Sequence, residues 1–368
     1  MASAAAAAYD RLAELKAFDE TKAGVKGLVD AGVAELPRIF HAPPHILDAY
    51  PTAAAEDPNY VFPIIDLGGA WEDPEKRKKV VAEIRDASAS WGFFQVVNHG
   101  VPASVVEEMK AGAHRFFNLD VEEKKQYYGR DMRKKVVYHS NLDLYTSSSA
   151  NWRDAVMFQM APNPPAPEEL PTSCRDVVTE YSSEMLKIGD SLFELLSEAL
   201  GLKSNYLKEM GCAEGVNVVY NYYPACPQPE LTLGTTQHAD IGFISVLVQD
   251  DVGGLQVLHK DHWVDVPPMA DGLVINIANL LQVMSNDNFT SVKHRVLVKN
   301  AGPRVSIIAF FGVGFTLGSR IYGPIEELLS EENPPRYKKT TIQDFVAQSY
   351  RQGLNGISFL DMLKLTKD

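Results

Sequence analysis

VNVVYNYY (residues 216–223), FISVLVQ (243–249), GLQVL (254–258), HWVDV (262–266), GLVINIA (272–278), HRVLV (294–298) and VSIIAFF (305–311) decide how this chain folds. Each is a short run of β-branched, aromatic and other apolar side chains, and Gly, Pro, Asn or Asp separates one run from the next. Runs of this kind bounded by turn formers read as strands. At this spacing they mean a β sandwich or barrel and not a parallel α/β sheet.

Upstream of about Gly215 the texture is helical. Apolar residues recur at helical spacing from about Ala13 to Val29, and Gly32 and Pro37 end that segment. PIIDL (63–67) reads as a short strand, and Asp73-Pro74 opens a helix to about Ala89 with proline in its first turn. WGFFQVVNHG (91–100) is a second early strand that ends in a turn at Asn98-His99-Gly100. Helices follow at about 102–117 and 120–127, the second opened by a capping box from Asp120 to Glu123. Residues 132–160 read as loops, and the proline-rich APNPPAPEELP (161–171) as a loop crossing. A long helix over 172–200 ends at Gly201, and two helical stretches, 342–351 and 358–365, close the chain. The organisation is a helix-rich region over 1–200 with two early core strands, a β-rich core over 215–315, and C-terminal helices over 316–368 that cover it.

The 368 residues are 45% hydrophobic and 23% charged, a core-forming composition that excludes a disordered or fibrous chain. A net charge of −13 argues against nucleic acid or an anionic membrane as partner, because both need clustered cations. The short basic run Arg133-Lys134-Lys135 reads as a solvated face. No stretch approaches the ~18 apolar residues of a membrane-spanning helix. The Ala-rich N-terminus has no basic flank, which makes a poor secretory or transit signal. Cys174, Cys212 and Cys226 have neither zinc nor dithiol spacing and suit a reducing compartment. The expectation is a cytoplasmic protein acting on a small molecule, with no obligate protein partner evident.

His238-Ala239-Asp240 is the first candidate for chemistry, since positions i and i+2 of a strand face one side and could reach one metal ion. Alone, it is more often a hydrogen-bonded pair. His294, in another predicted strand, changes the balance. Two imidazoles and one carboxylate leave metal positions open, the facial triad of non-haem Fe(II) oxygenases, whereas zinc prefers a closed tetrahedron or a single open site. Arg304-Val305-Ser306 adds a guanidinium fork and a hydroxyl on one strand face, suited to holding a carboxylate. Each part is weak, and their order and spacing together are strong.

With these motifs, and with PIIDL, WGFFQVVNHGV, NYYPACPQPE, GGLQVL, WVDVPP and KHRV, the chain resembles the plant 2-oxoglutarate- and Fe(II)-dependent dioxygenases over nearly its whole length. NWRDAVMFQMAPNPP (151–165) is most similar to the homologues of 1-aminocyclopropane-1-carboxylate oxidase. That subgroup and its neighbours oxidise specialised metabolites, including benzoxazinoid, indolic, alkaloid and glucosinolate-derived compounds. The resemblance implies a double-stranded β-helix, or jelly roll, mainly β with flanking helices and with C-terminal helices over the barrel. It implies His238, Asp240 and His294 as ligands of Fe(II), and Arg304, Ser306 and Tyr223 as the holders of the far carboxylate of 2-oxoglutarate. Asn221 lies near the other carboxylate, O₂ is the second cosubstrate, and ascorbate is the reductant. Phe310 falls where relatives stack an aromatic substrate, and Tyr138 and Asn141 fall in a region that lines the pocket mouth. The implied reaction is hydroxylation of a small aromatic or heteroaromatic metabolite, indolic or benzoxazinoid-like, with release of succinate and CO₂.

Two rivals stand beside it. A true 1-aminocyclopropane-1-carboxylate oxidase uses ascorbate in place of 2-oxoglutarate but begins near the PIIDL strand, and here a longer stretch precedes that strand. A catalytically silent ligand-binding member would not need all three ligand positions and the Arg-x-Ser pair. His259 and His262 read as surface residues of a hairpin, and Gly312-Val313-Gly314 lacks the third glycine and the helix of a dinucleotide site. Without a P-loop or a Gly-x-Ser-x-Gly elbow, phosphoryl transfer and serine hydrolysis have no support.

Overall fold

The late strands form two facing sheets, and strands from the N-terminal half complete the larger one. The computed structural model describes residues 9–54, 57–312, 320–352 and 359–365. Its strands are β1 (Ile64–Asp66), β2 (Phe93–Val97), β3 (Val136–Ser140), β4 (Asp154–Ala161), β5 (Val216–Tyr223), β6 (Thr235–His238) and β7 (Ile244–Gln249). β8 (Leu255–His259), β9 (His262–Asp265), β10 (Leu273–Ile277), β11 (His294–Val296) and β12 (Arg304–Phe311) follow, then the small pair β13 (Ile321–Tyr322) and β14 (Thr340–Thr341). The larger sheet runs β1-β2-β10-β7-β12-β5-β4-β3, and the smaller runs β6-β11-β8-β9. The architecture is a mainly β jelly roll with flanking helices.

The helices are α1 (Arg11–Thr21), α2 (Gly24–Asp30), α3 (Pro44–Leu47), α4 (Pro74–Ser90), α5 (Ala103–Phe117) and α6 (Val121–Lys125). α7 (Arg175–Ala199), α8 (Tyr206–Glu209), α9 (Asn279–Met284), α10 (Ile342–Gln352) and α11 (Phe359–Leu363) complete the set. Local chemistry sets their ends. Asp73 caps α4 by accepting from the Glu75 N–H at 2.9 Å, with Pro74 in the first turn, and Gly201 past α7 takes φ +77°. Asp120 caps α6 through the Glu122 N–H at 2.8 Å.

β12 shows how side-chain alternation divides the large sheet. Val305, Ile307, Ala309 and Phe311 are buried among the helices, while Ser306, Ile308 and Phe310 point to the space between the sheets. α4 and α5 pack on α7, and α5 and α7 pack on β5 and β12, so the outer face of the sheet is dry.

Two expectations need correction. Residues 132–160 are not all loop, because β3 and β4 lie there and extend the large sheet past β5. β4 is buried along its whole length and has no apolar–polar alternation, so its sequence lacked the usual mark of a half-exposed strand. The expected helix over 13–29 is broken into α1 and α2. Lys22 and Gly24 take φ 54° and 69°, and the buried Asp154 carboxylate accepts from the Val25 and Lys26 N–H groups, both at 2.8 Å. A Cβ on residue 24 would collide with Asp154 and with the Tyr138 hydroxyl, so this close approach requires glycine. Val313 and Gly314 of the Gly-Val-Gly run lie outside the described residues, as does residue 358 at the start of the last expected helix.

Candidate metal centre

His238 ends β6 and His294 begins β11, and the two are direct partners across the small sheet. Asp240 lies just past β6, so strand alternation does not place it. The Asn279 N–H donates to the Asp240 carbonyl at 2.9 Å and ties this turn to the start of α9. Asp240 Oδ1 is 3.5 Å from His238 Nε2 and 3.6 Å from His294 Nε2, and the imidazole centroids are 4.2 Å apart. One ligand atom from each of the three residues lies within 4.8 Å of the others.

The surroundings aim these atoms inward. His238 Nδ1 bonds the Thr236 carbonyl at 2.9 Å and His294 Nδ1 the Val292 carbonyl at 3.4 Å, a network that assigns the protons to Nδ1 and leaves both Nε2 lone pairs facing Asp240. Asp240 Oδ2 accepts from Ser245 Oγ and Asn276 Nδ2, both at 2.6 Å, which turns Oδ1 towards the imidazoles. Burial pushes the Asp240 carboxyl up, but His294, His238 and the Ser245 hydroxyl outweigh it and hold it below the usual carboxylate range. Burial and the neighbouring His238 push His294 down to about 4. Both shifts keep the donor atoms free of protons near neutral pH, as a metal ion requires. The donor set and its open side fit a divalent iron.

A cavity of about 820 Å³ opens on this cluster between the two sheets. Asn221, Tyr223, Ser306 and Phe310 line it. Arg304 is 3% exposed behind Ser306, and its guanidinium donates to Ser306 Oγ at 3.0 Å, Gln249 Oε1 at 3.1 Å and the Gly253 carbonyl at 2.7 Å. Its carbon sits 4.9 Å from the centre of the Tyr223 ring. Among the described residues no carboxylate pairs with Arg304, so this buried cation is left for an anion from outside.

Other expected positions do not come together here. Tyr138 is not on the cavity wall. It is fully buried against Phe116, Phe117 and Tyr128, and its hydroxyl donates to the Ala23 carbonyl at 3.1 Å, so the docked N-terminal segment claims it. Asn141 is also off the wall. At φ 58° it clamps the link between β3 and β4, accepting from the Asn151 N–H at 2.6 Å and donating to the Asn151 carbonyl at 2.9 Å. His259 is not a surface residue: it is 7% exposed, stacked on Trp91 with ring centroids 3.7 Å apart. His262 meets the Tyr60 hydroxyl at 2.9 Å. The Asn98 turn bonds Asp66 at 2.7 Å, away from the cluster.

Sequence reasoning missed Ser245, Asn276, Gln249 and Thr235. Ser245 and Asn276 are polar residues inside otherwise apolar strands, and that interruption was a usable signal. Thr235, whose hydroxyl is 3.2 Å from that of Tyr223, had no such mark.

Comparison with known proteins places these features. Residues 215–313 match the 2OG-Fe(II) oxygenase superfamily, and residues 62–178 match the family described as non-haem dioxygenase in morphine synthesis N-terminal. The chain belongs to the 2OG-Fe(II) oxygenase superfamily and is a dioxygenase-type oxidoreductase. It is 53% identical to a 1-aminocyclopropane-1-carboxylate oxidase homolog of Solanum lycopersicum, over 97% of this chain and 98% of that one. The crystal structure of JOX2 in complex with 2OG, Fe and JA is 31% identical, with a TM-score of 0.82, over 93% of this chain and 98% of the other. The dioxygenase for auxin oxidation in rice is 26% identical, with a TM-score of 0.68, over 83% of this chain and all of the other. Among the described residues no helix is long and apolar enough to cross a membrane.

Proposed function

We propose that this protein hydroxylates a small aromatic or heteroaromatic metabolite, indolic or benzoxazinoid-like, at an iron held by His238, Asp240 and His294. The observation that carries the reading is the convergence of three metal-ligating side chains on one end of a largely apolar cavity, with a buried Arg304 that has no carboxylate partner among the described residues beside it. Iron with 2-oxoglutarate and O₂ supplies oxidising power, and 2-oxoglutarate leaves as succinate and CO₂. The chain supplies position and dryness. Ser245 and Asn276 hold Asp240 so that one carboxylate oxygen faces the metal position. Arg304 and Ser306 receive the far carboxylate of 2-oxoglutarate, with the Tyr223 hydroxyl alongside and Asn221 nearer the metal. Leu247, Val274 and Val296 keep bulk water from the reacting centre, and Phe310 and Phe93 offer faces to an aromatic ring. Ascorbate is the reductant in this reading. Three buried, unpaired cysteines support a reducing, cytoplasmic setting.

The test is an anaerobic titration of metal-free protein with Fe(II) and then 2-oxoglutarate, following the visible charge-transfer band of the chelate. A band that appears with both and is lost in Asp240→Ala supports the reading. Iron binding without a band on adding 2-oxoglutarate would favour the ascorbate-dependent oxidase, and absence of iron binding would remove the enzyme reading.

A further inference from the structure

β4 and the residue before it supply a cation that makes no hydrogen bond to the three candidate ligands or to Arg304. Arg153, Ala155 and Met157 alternate onto the cavity wall. Among the described residues four cations line this cavity: Arg130, Arg133, Arg153 and Lys293. Arg130 pairs with Asp19 and Arg133 with Asp131, each at 2.8 Å. Among the described residues Arg153 has no carboxylate partner. Its Nη1 donates to Thr235 Oγ1 at 3.2 Å, and its Nε is buried without any acceptor. Lys293 also lacks a carboxylate among the described residues, but only Arg153 combines that lack with an orphaned buried donor.

A second orphan lies beside it. His139, on β3 opposite Ala155, lines the same wall at 5% exposure, and its Nδ1 has no partner. Burial, with Arg153 and Arg130 nearby, pushes this imidazole down to about 3, so it is neutral and adds no charge beside Arg153. The two orphaned nitrogens are shut off from the cavity, and it is the accessible part of the half-buried Arg153 guanidinium, with no carboxylate beside it, that an oxyanion in the cavity would meet. Thr235 precedes His238 on β6 by three residues, about 10 Å at a strand's rise, which separates this corner from the metal position. Thr235 also meets the Tyr223 hydroxyl at 3.2 Å, so Arg153 stands as a second cation beside the Arg304 pocket and about a strand's length from the metal position.

We propose that Arg153 anchors a carboxylate of the substrate, so that the preferred substrates are aromatic or heteroaromatic acids and not their neutral counterparts. This rests on the proposed function and narrows its substrate class. Arg153 is then a specificity-determining residue that fixes how far the ring reaches towards the metal.

The test uses full-length protein loaded anaerobically with Fe(II) and 2-oxoglutarate. The probes are ω-phenylalkanoates and indole-3-alkanoates of graded chain length, each beside its methyl ester. Binding is read by calorimetry and by perturbation of the chelate band, neither of which needs turnover. The expected result is at least tenfold tighter binding of one or more acids than of the matched ester. Arg153→Gln should lose that preference, and Arg153→Lys should recover part of it through charge alone. Both variants should form the chelate band with 2-oxoglutarate affinity within about threefold of the original. A preference that survives in Arg153→Gln overturns the inference, as does a panel in which no acid binds better than its ester. A large loss of 2-oxoglutarate affinity in Arg153→Gln also overturns it, by assigning Arg153 to the cosubstrate. Failure of the unsubstituted protein to form the band is a different result: it removes the proposed function, and this inference falls with it.

Discussion

Replacing Arg304 by alanine should weaken 2-oxoglutarate binding far more than it weakens iron binding. The guanidinium is held by Gly253, Gln249 and Ser306, so little rotamer freedom remains to be lost when it receives a carboxylate. Two charge-assisted hydrogen bonds at about 1.5–3 kcal/mol each give about 3–6 kcal/mol, or roughly 10²–10⁴-fold in Kd. The lower half of that range is the firmer expectation, because the Ser306 hydroxyl and the Tyr223 side chain remain in place. The assay is anaerobic titration of the Fe(II)-loaded variant with 2-oxoglutarate, read at the chelate band and set beside the Fe(II) affinity measured before the cosubstrate is added. A circular-dichroism melt checks that the Gln249 and Gly253 oxygens, which lose their donor, have not cost the variant its fold. A 2-oxoglutarate Kd within threefold of the original would refute the reasoning and assign the far carboxylate to another cation. A parallel loss of iron binding would show that Arg304 acts on the whole site and not on the cosubstrate.

Asp154 should leave a signature in the pH dependence of stability. Burial raises its pKa to about 6 from the ordinary 3.8, against the Lys26 and Val25 N–H groups that lower it, so the folded protein holds this proton more tightly than the unfolded chain. Its contribution is therefore full below about pH 4 and is lost as pH rises through about 6, a swing of about 3 kcal/mol. Denaturant unfolding across that window should show the wild type losing about this much relative to Asp154→Asn, whose own cost does not vary with pH; a pH-independent difference would contradict it. Gly24→Ala should destabilise by more than the roughly 1–2 kcal/mol of a left-handed backbone alone, because the new methyl meets Asp154 and Tyr138; an unchanged melting temperature would mean that the α1–α2 break is not pinned there. Phe310→Ala should weaken binding of an aromatic substrate more than of 2-oxoglutarate, since its ring faces the cavity and not the helical layer. Equal losses in the two binding curves would make Phe310 a packing residue only.

Much of this was legible in the chain itself. The late strands announced themselves through short apolar runs and turn residues, and β12 carried Arg304, Ser306 and Phe310 on one face by parity alone. Asp73-Pro74 and Gly201 marked helix ends because capping depends on only a few neighbouring residues. His238, Asp240 and His294 were visible as candidates, although Asp240 reaches the cluster through a turn tied to α9 and not through the strand alternation that first suggested it.

What the sequence could not decide was whatever depends on segments far apart in the chain. β4 is buried on both faces, so no period marked it, and with β4 unplaced Arg153 had no cavity to face and Tyr138 no core to join. The break between α1 and α2 is imposed by a carboxylate more than a hundred residues away, a pull that local propensity does not contain. His259 looked like a hairpin-tip residue until Trp91 covered it. Sequence by itself determined which side chains share a strand face and which residues start or stop a helix, because those follow from backbone geometry over a few residues. Only the tertiary structure decided which charges are left without partners, because a missing partner depends on everything packed around it, and those unpaired charges are what the cavity offers a ligand.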